Sequence, residues 1–411
     1  MGRVCKLLMV TAENNNKYYN MTENGGTISI EYGRVDKTCV NVSKPISQWD
    51  KVIKSKIKKG YTDVTHLSLV DDTDDQQDKL MADIADAVID KLFKQLQAFA
   101  NHTIQENYKV SSNSVTQAMV DEAQAKVNEL AQLIGKRKQF SVDDYNKILL
   151  ELFHIIPRQM NDVRSWLINT SLTGSSLRER CNKILGKEQS TLDVMAGQVI
   201  VNTKSEEVDE VTTDVKRDIL GVLGLEVAPT SKSDDAEIKK HLGANKNQFK
   251  RGYKVINKQT EKVFNAHMDE AKDKTVKLFW HGSRNENWLN ILSTGLLIRP
   301  SGAIHSGSMF GDGIYFADKA QKSIGYTSLR GSYWAKGGDA TAFLALFSVH
   351  VGNQKDIKRH NSSCYSLDKK VIGKDGYDSV FAHGGADLRN NEYIVYDGAQ
   401  CTVSYLVEIS S

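Results

Sequence analysis

The sequence of 411 residues contains only five cysteines, and they lie far apart along the chain. No Cys-x-x-Cys pair and no cluster of histidine and cysteine occurs, which argues against a zinc site and against a disulfide framework. Reduced thiols in an intracellular compartment agree better with this pattern. The five residues are Cys5, Cys39, Cys181, Cys364 and Cys401.

Long apolar runs, a signal peptide and a strong charge of either sign are missing too. No apolar run approaches the ~18 residues that a membrane span needs. The formal net charge of +3 is too small to argue for nucleic-acid binding by itself, so that argument must rest on local basic clusters. We expect an intracellular protein, in the nucleus of a eukaryotic host or in the cytoplasm or nucleoid of a bacterial one.

Two glycines one residue apart occur in MFGDGIYFAD, residues 309–318, but this segment does not fit a dinucleotide-binding loop. The fingerprint of such a loop is G-x-G-x-x-G between a strand and a helix, so that helix N–H groups meet the pyrophosphate. Phe316 occupies the position of the third glycine, and IYFA after Gly313 has the pattern of a strand. The segment therefore argues against a Rossmann site.

Residues 1–75 have the pattern of a small β domain. After a turn at ENGG, the residues Ile28, Ile30 and Tyr32 fall on one face of a predicted strand. A helix is predicted next, because Trp49, Ile53 and Ile57 recur at four-residue spacing.

The remaining faces of this helix are rich in lysine. A lysine run is commonly just a solvated surface, and it can also neutralise the phosphates of a nucleic acid. The pattern alone leaves both alternatives open. The residues are Lys51, Lys54, Lys56, Lys58 and Lys59.

An acidic connector at residues 71–78 precedes a helical zone that extends to about residue 205. Its first helix is predicted from apolar residues at buried-stripe spacing, and further helices from AQAKVNELAQLI, VDDYNKILLELFHII and TLDVMAGQVIV. By themselves these patterns indicate a structural helical bundle. The stripe consists of Ile84, Val88, Leu92, Leu96 and Phe99.

Residues 206–411 contain short strand-like runs separated by glycines, which predicts an α+β domain with antiparallel sheets. The runs are VKLFW, GIYFA, ALFSVHV, EYIVYD and TVSYLVEI. In the last run Val403, Tyr405, Val407 and Ile409 alternate, as in a strand with one buried face. The predicted fold class is thus multidomain, with a small β-rich domain, an all-α domain and an α+β domain.

Polar residues interrupt the apolar strands of this last zone, where burial without a partner would be costly. Taken singly, a strand histidine is more often a satisfied core residue than a catalyst, and a glutamate can be an edge-strand charge. The candidates are His281, Ser283, Tyr315, Ser323, Tyr326 and Glu392.

Together these residues form a recognisable set. WHGSR, MFGDGIYFAD, KSIGY and NEYIVYD, in this order, resemble the catalytic domain of poly(ADP-ribose) polymerases with its His-Tyr-Glu signature. NKYYNM, EYGRV and KKGY look like the WGR domain of that family, and the helical zone with LLELFHIIP looks like its regulatory helical domain. The resemblance implies a WGR-like domain at 1–75, a regulatory helical domain at 76–205 and an ADP-ribosyltransferase catalytic domain at 206–411.

The resemblance implies that NAD+ is the substrate and that no metal takes part. Gly282 would bind the nicotinamide carboxamide through its backbone N–H and C=O, and the Ser323 hydroxyl would add a further hydrogen bond. Tyr326 and Tyr315 would stack on opposite sides of the nicotinamide ring.

The remaining roles concern the two riboses. His281 and Ser283 would bind the adenosine ribose. Breaking the glycosidic bond develops positive charge on the nicotinamide ribose, which a nearby carboxylate stabilises. The resemblance assigns that role to Glu392, within a catalytic set of His281, Tyr315 and Glu392.

Residues 300–308 would complete a donor loop over NAD+, and the glycines of MFGDG would let the backbone lie close to it. Two positions depart from the family pattern. Asp312 stands where family members commonly have lysine, and Tyr32-Gly33-Arg34 replaces Trp-Gly-Arg. An aromatic ring and the arginine are kept, so the resemblance still implies binding of DNA ends or nicks. The expected DNA contacts are Tyr32, Arg34, Lys51, Lys54 and Lys58.

The sequence therefore predicts an NAD+-dependent poly-ADP-ribosyltransferase that modifies proteins, including itself, and is stimulated by DNA breaks. The helical domain would act as a lid that DNA contact loosens. A mono-ADP-ribosyltransferase is the first alternative, because GGADLRNN before Glu392 is short. A DNA-end-binding protein with a silent catalytic fold is the second, and the intact site residues argue against it.

Overall fold

The computed structural model describes residues 2–35, 37–67, 84–110, 115–135, 141–209, 219–298, 309–330 and 337–410. The chain divides into two compact units, the first formed by residues 1–77 and 102–199 and the second by residues 78–101 and 200–411. Helices occur together with antiparallel sheets, which confirms the mixed fold predicted from the sequence. The division into three domains at residues 75 and 205 stays a prediction, and the acidic connector at 71–78 lies outside the described residues.

The first unit begins with an antiparallel sheet in the strand order β4-β3-β2-β1-β5. Alternate residues of β1 to β3 face a helix, α1 (Trp49–Lys58), and Ile28 and Ile30 lie in the resulting core, as predicted. The strands are β1 (Val4–Thr11), β2 (Asn15–Asn24), β3 (Thr27–Arg34), β4 (Val40–Pro45) and β5 (Thr62–Asp63).

The buried stripe of α1 differs from the predicted one. Trp49 and Val52 are buried, whereas Ile57 is 43% exposed. A four-residue step advances a helix by about 40° beyond a full turn, so two such steps turn Ile57 away from the face of Trp49. A seven-residue step nearly closes two turns, and it places Lys56 on the buried face instead. The Lys56 ammonium lies 3.7 Å from the centre of the Tyr19 ring.

Helices follow in the chain where the apolar patterns predict them. A helix N-cap is visible at Ser141, whose hydroxyl accepts a hydrogen bond from the Asp144 N–H. The helices are α2 (Ala87–Asn107), α3 (Gln117–Gly135), α4 (Val142–Ile155) and α5 (Gly174–Asp209).

A buried ion pair holds the helical part of the first unit together. Arg158, just after α4, pairs with Glu188 of α5, and both side chains are almost fully buried. The Arg158 guanidinium also lies 4.1 Å from the Tyr108 ring centre, and its backbone C=O accepts a hydrogen bond from the Asn16 amide of β2. Arg158 thus connects β2 with α5 and with Tyr108 in this unit.

The second unit contains two sheets. One is antiparallel in the order β6-β7-β14-β10-β8, and the other has the order β11-β12-β13-β9 with one parallel pair, β11 and β12. Its strands are β6 (Leu225–Pro229), β7 (Phe249–Asn257), β8 (Val276–Gly282), β9 (Ile314–Phe316), β10 (Thr341–His350), β11 (Gln354–Ile357), β12 (Ser379–Ala382), β13 (Glu392–Val395) and β14 (Cys401–Ser410). Its helices are α6 (Ile219–Leu223), α7 (Lys232–Leu242), α8 (Lys258–Glu270), α9 (Trp288–Thr294), α10 (Ala320–Ile324) and α11 (Lys369–Lys374).

The two sheets are joined where β8 passes β9. The backbone N–H of Trp280 donates to the C=O of Ala317 at 2.9 Å, and the N–H of Ala317 donates back at 3.0 Å. This bridge places the end of β8, with His281 and Gly282, beside Tyr315 of β9.

The strict alternation predicted for β14 is wrong. Val403 packs into one core cluster, whereas Val407 and Ile409 pack into another. The pairing of β10 with β14 shifts register between Leu346 and Phe347, which is a bulge that reverses the faces. Both faces of the strand are therefore covered.

The first part of α2 belongs to the core of the second unit. Leu92 and Leu96 of the predicted stripe are buried there, together with Ile89, Phe93 and Trp288. A fragment that begins at residue 206 would lack these side chains. None of the helices in the described ranges is both long enough and apolar enough to cross a membrane.

We expect Arg158→Met to lower the free energy of unfolding by about 3–5 kcal/mol, because Glu188 would remain buried without its cation. Adding Glu188→Leu should recover most of that loss, since no buried charge remains. Chemical denaturation of the full chain measures both. Arg164→Met is the control, because Arg164 forms an exposed pair with Asp162. A double variant as unstable as the single one would show that packing, not charge, is responsible.

Candidate active site

His281 lies near the end of β8 with its ring held by the neighbouring strand. Its Nδ1–H donates to the backbone C=O of Tyr315 at 3.1 Å, which leaves Nε2 as a hydrogen-bond acceptor. Burial lowers the pKa of His281 to about 4. The imidazole is therefore neutral at physiological pH and can accept a hydrogen bond from a hydroxyl group.

Gly282 and Ser323 are in direct contact, as the predicted carboxamide site requires. A Cβ atom on Gly282 would lie 2.0 Å from the Ser323 backbone oxygen, so no larger residue fits. Ser323 is buried on α10, and its hydroxyl lies 3.3 Å from the Trp280 C=O. The Gly282 backbone and Ser323 thus lie side by side.

The two tyrosines predicted to sandwich a ring lie near the same carboxylate. Burial raises the pKa of Tyr315 and of Tyr326, and the charge of Glu392 adds to both shifts. The Tyr315 hydroxyl donates to the Gly311 C=O and accepts from the Phe310 N–H. Its position is therefore fixed within the chain, whereas Tyr326 is 48% exposed.

Glu392 opens β13 and is only 7% exposed. Its Oε1 forms an ion pair with the ammonium of Lys322 on α10. Its Oε2 is buried and has no hydrogen-bond partner among the described residues. One carboxylate oxygen thus anchors the side chain, and the other is left to bind a ligand hydroxyl.

Lys322 is the residue that sequence reasoning missed. It precedes Ser323 in KSIGY, so one turn of α10 presents both. Burial lowers the pKa of Lys322, and the neighbouring Glu392 carboxylate opposes that shift. Only a general rule pointed to such a residue: a glutamate at the start of an apolar strand needs a cation nearby.

The segment before Glu392 is a short, well-tied turn. Asn391 accepts from the Gly384 N–H through its side-chain oxygen and donates to Asp318 at 2.8 Å. The Gly385 N–H also donates to the Leu388 C=O at 2.7 Å. These bonds hold residues 383–391 close to the end of β9.

The glycines of MFGDGIYFAD pack against the chain itself. A Cβ on Gly311 would lie 2.0 Å from the Leu367 oxygen, and one on Gly313 would lie 2.4 Å from Ile394. These glycines therefore have a packing role, and their approach to NAD+ stays a prediction. The negative charge of Asp312 also helps to raise the pKa of Tyr315. The rest of the predicted donor loop, residues 300–308, lies outside the described residues.

Ser283 is adjacent to these residues in the chain, and its hydroxyl accepts from the Asn287 amide at 3.0 Å. It follows His281 by two positions, as the predicted ribose site requires. Both residues thus lie at the end of the same strand.

The predicted DNA contacts all lie in the first unit. The exposed lysines of α1 are Lys51, Lys54 and Lys58. Tyr32 stacks on Tyr19 with ring centres 5.3 Å apart. The Arg34 guanidinium donates to Asn14 and to the Asn161 C=O, so it joins the sheet to the segment after α4.

Comparison with known proteins supports this interpretation of the site. The sequence model of the poly(ADP-ribose) polymerase catalytic domain matches residues 233–411, which include every residue of the site. The chain is 33% identical over 161 residues to the putative poly [ADP-ribose] polymerase-like protein 100L of Invertebrate iridescent virus 6, covering 38% of this chain and 84% of that protein.

Two further relatives are similar to this chain. The uncharacterized protein 101L of the same virus is 31% identical over 203 residues, which is 49% of this chain and 80% of that protein. Poly [ADP-ribose] polymerase 2 of Homo sapiens is 33% identical over 157 residues, covering 32% of this chain and 26% of the human protein. The chain therefore belongs to the poly(ADP-ribose) polymerase family and is an NAD+ ADP-ribosyltransferase.

Proposed function

We propose that this protein transfers ADP-ribose from NAD+ to protein acceptors, itself included, and extends the product into chains when DNA breaks are present. The observation that carries the proposal is the buried Glu392, which has one oxygen paired with Lys322 and the other without a partner among the described residues. Such a carboxylate suits a ribose hydroxyl beside a centre of developing positive charge.

Substrate binding follows from the contact between β8 and α10. The carboxamide of nicotinamide would bind the backbone of Gly282 and the hydroxyl of Ser323. Tyr315 and Tyr326 would lie on opposite sides of the nicotinamide ring. The neutral His281 would accept a hydrogen bond from the adenosine ribose. These contacts hold the leaving group and the far end of NAD+, so the reacting ribose is positioned beside Glu392.

In the chemical step, the bond between the nicotinamide nitrogen and ribose C1′ breaks, and its electron pair leaves with neutral nicotinamide. The ribose acquires oxocarbenium character, which the Glu392 charge stabilises. The acceptor oxygen then attacks C1′, forms the new C–O bond and passes its proton to water. During elongation that oxygen is a hydroxyl of the previous ADP-ribose unit.

Chain formation is favoured by the complete His281, Tyr315 and Glu392 set. The short turn at residues 383–391 supports the alternative of single-unit transfer, because a short segment offers little surface to a growing chain. We therefore propose polymerisation with short products.

DNA stimulation would begin in the first unit. Arg34 donates three hydrogen bonds to Asn14 and Asn161, and a guanidinium has five N–H groups, so two have no acceptor among the described residues and suit a terminal phosphate. Contact with a DNA end would then change the hydrogen bonds that Arg34 donates to Asn14 and Asn161. The compartment we propose is the nucleus of a eukaryotic host or the nucleoid of a bacterial one.

An NAD+-turnover assay tests this function. The full chain would be given NAD+ with no DNA, with nicked DNA, with blunt DNA and with closed circular DNA, and its products would be separated by size. We expect release of nicotinamide and short chains, increased by nicked or blunt DNA. Single units only would favour mono-transfer, and no turnover on any DNA would favour a silent catalytic fold.

Glu392→Gln should leave NAD+ binding within about threefold of the original while reducing polymer formation by about 100-fold or more. The amide keeps shape and hydrogen bonding, but loses the charge that stabilises the transition state, a loss worth about 2.7–4 kcal/mol at comparable sites. Binding of a non-hydrolysable NAD+ analogue and nicotinamide release measure the two effects separately. Polymerisation at the original rate would contradict the role of Glu392.

Lys322→Met should lower the rate of nicotinamide release by about tenfold or more, because Glu392 would stay buried without the cation that anchors it. The carboxylate would lose its fixed position, whereas binding of a non-hydrolysable NAD+ analogue should change much less. Nicotinamide release and analogue binding measure the two effects, with the exposed Lys319→Met as control. Equal rates of nicotinamide release for all three proteins would refute the pairing role.

Arg34→Ala should weaken binding to DNA ends and nicks more than binding to closed circles. Lys51→Ala and Lys54→Ala should weaken all three DNA forms similarly, each reducing the salt slope by about one unit. Lys56→Ala should have a smaller effect on that slope, because its ammonium lies against the Tyr19 ring. Titrations at several salt concentrations measure these differences. An Arg34→Ala variant that behaves like the lysine variants would place end recognition elsewhere.

A further inference from the structure

The sheet of the first unit has a cavity on the face opposite α1. Neighbouring residues of a strand point to opposite faces, so the residues between Leu7, Tyr19 and Met21 face away from the α1 core. A cavity of about 270 Å³ lies on that side. Side chains of its floor come from Lys6, Leu8, Tyr18, Asn20 and Glu31.

The floor consists of two rows that cross the strands. Lys6 pairs with Asn20, and Asn20 pairs with Glu31, so an ammonium, an amide and a carboxylate stand side by side. In the next row Leu8 pairs with Tyr18, and Tyr18 pairs with Gly33. One row thus offers hydrogen bonds, and the other offers an apolar surface with an aromatic ring.

The opposite wall is the end of α4. The His154 Nε2 accepts from the Val10 N–H at 3.0 Å, and its Nδ1–H donates to the Leu150 C=O. Burial lowers the pKa of His154, so the ring is neutral and adds no charge. Because both ring nitrogens are used, this wall is fixed before any ligand binds.

Positive charge surrounds the opening. Lys37 and Lys109 line the cavity and are exposed, and Lys6 and Arg34 line it further in. Glu31 is the carboxylate that opposes these four cations in the described lining. Burial and the nearby Glu31 raise the pKa of Tyr18, so its phenol stays protonated as a donor. The cavity therefore favours an anion that also carries hydrogen-bonding groups.

We propose that this cavity is a second nucleotide site, separate from the NAD+ site of the other unit. The base would lie against Leu8 and Tyr18 with its polar edge toward Asn20 and Glu31, and the phosphate would lie at Lys37 and Lys109. A nucleobase offers both donors and acceptors, so it satisfies an amide and a carboxylate together. An aliphatic anion would bind at the lysines but would make no hydrogen bond with Asn20 or Glu31 and no stacking contact with Tyr18.

Binding would connect two parts of the first unit. The sheet supplies the floor and α4 supplies the wall, and the contacts from Val10 to His154 and from Arg34 to Asn161 lie between the same parts. A ligand that binds only the folded arrangement stabilises it by mass action. The nucleotide could be free, or it could be the terminal unit of an ADP-ribose chain or of DNA.

Calorimetric titration of the full chain with AMP tests the proposal. The NAD+ site would first be saturated with a non-hydrolysable NAD+ analogue, so that any heat reports a second site. We expect one AMP per chain, with adenosine and inorganic phosphate each bound at least about tenfold more weakly, since each lacks one half of the contacts. ADP-ribose and a 5′-phosphorylated duplex, added in competition with AMP, identify the source of the nucleotide.

Two variants locate the binding. Leu8→Phe puts a ring into the cavity and should abolish AMP binding, with circular dichroism to check its fold. Lys37→Glu combined with Lys109→Glu changes only exposed residues and should weaken AMP at least about tenfold. Lys147→Glu, at an exposed residue of α4 outside the cavity lining, should bind AMP as the original does. No binding at about 1 mM AMP, or binding that both cavity variants leave unchanged, would overturn the proposal.

Discussion

The candidate active site depends on the cost of burying a carboxylate at the start of an apolar strand. Glu392 is followed in β13 by three buried residues, and an unpaired charge there would cost several kcal/mol. Lys322 offsets part of that cost, because the short connection from β9 to α10 brings its ammonium to Glu392. The same helix presses Ser323 against Gly282. One turn of helix thus fixes both the carboxylate proposed to act in catalysis and the contact predicted to hold the leaving group.

The sequence predicts this candidate site from polar residues inside apolar strands, where such residues are otherwise uncommon. His281, Gly282, Ser323 and Glu392 were all predicted, and the structure brings the first three into one place with Lys322 linking the fourth. Lys322 was missed because the partner of a buried charge depends on tertiary contacts. A lysine on a short helix has the same pattern whether it is solvated or paired.

The fold was predictable where apolar residues recur at regular spacing along one continuous segment. The strand with Ile28 and Ile30 and the helices of the first unit lie where the pattern placed them. The faces of β14 were not predictable, because a bulge at Ser404 has no signal in an alternating sequence. Likewise the apolar stripe of α2 shows that the helix is buried, but not that its first part joins the core of the second unit.

A crystal structure of the full chain with a non-hydrolysable NAD+ analogue tests the central claim most directly. We predict that the free Oε2 of Glu392 lies within hydrogen-bond distance of the 2′-hydroxyl of the nicotinamide ribose, while Oε1 stays with Lys322. The carboxamide should meet the Gly282 backbone and the Ser323 hydroxyl. A complex in which Glu392 turns away from the ribose, or in which the carboxamide binds elsewhere, would contradict this account.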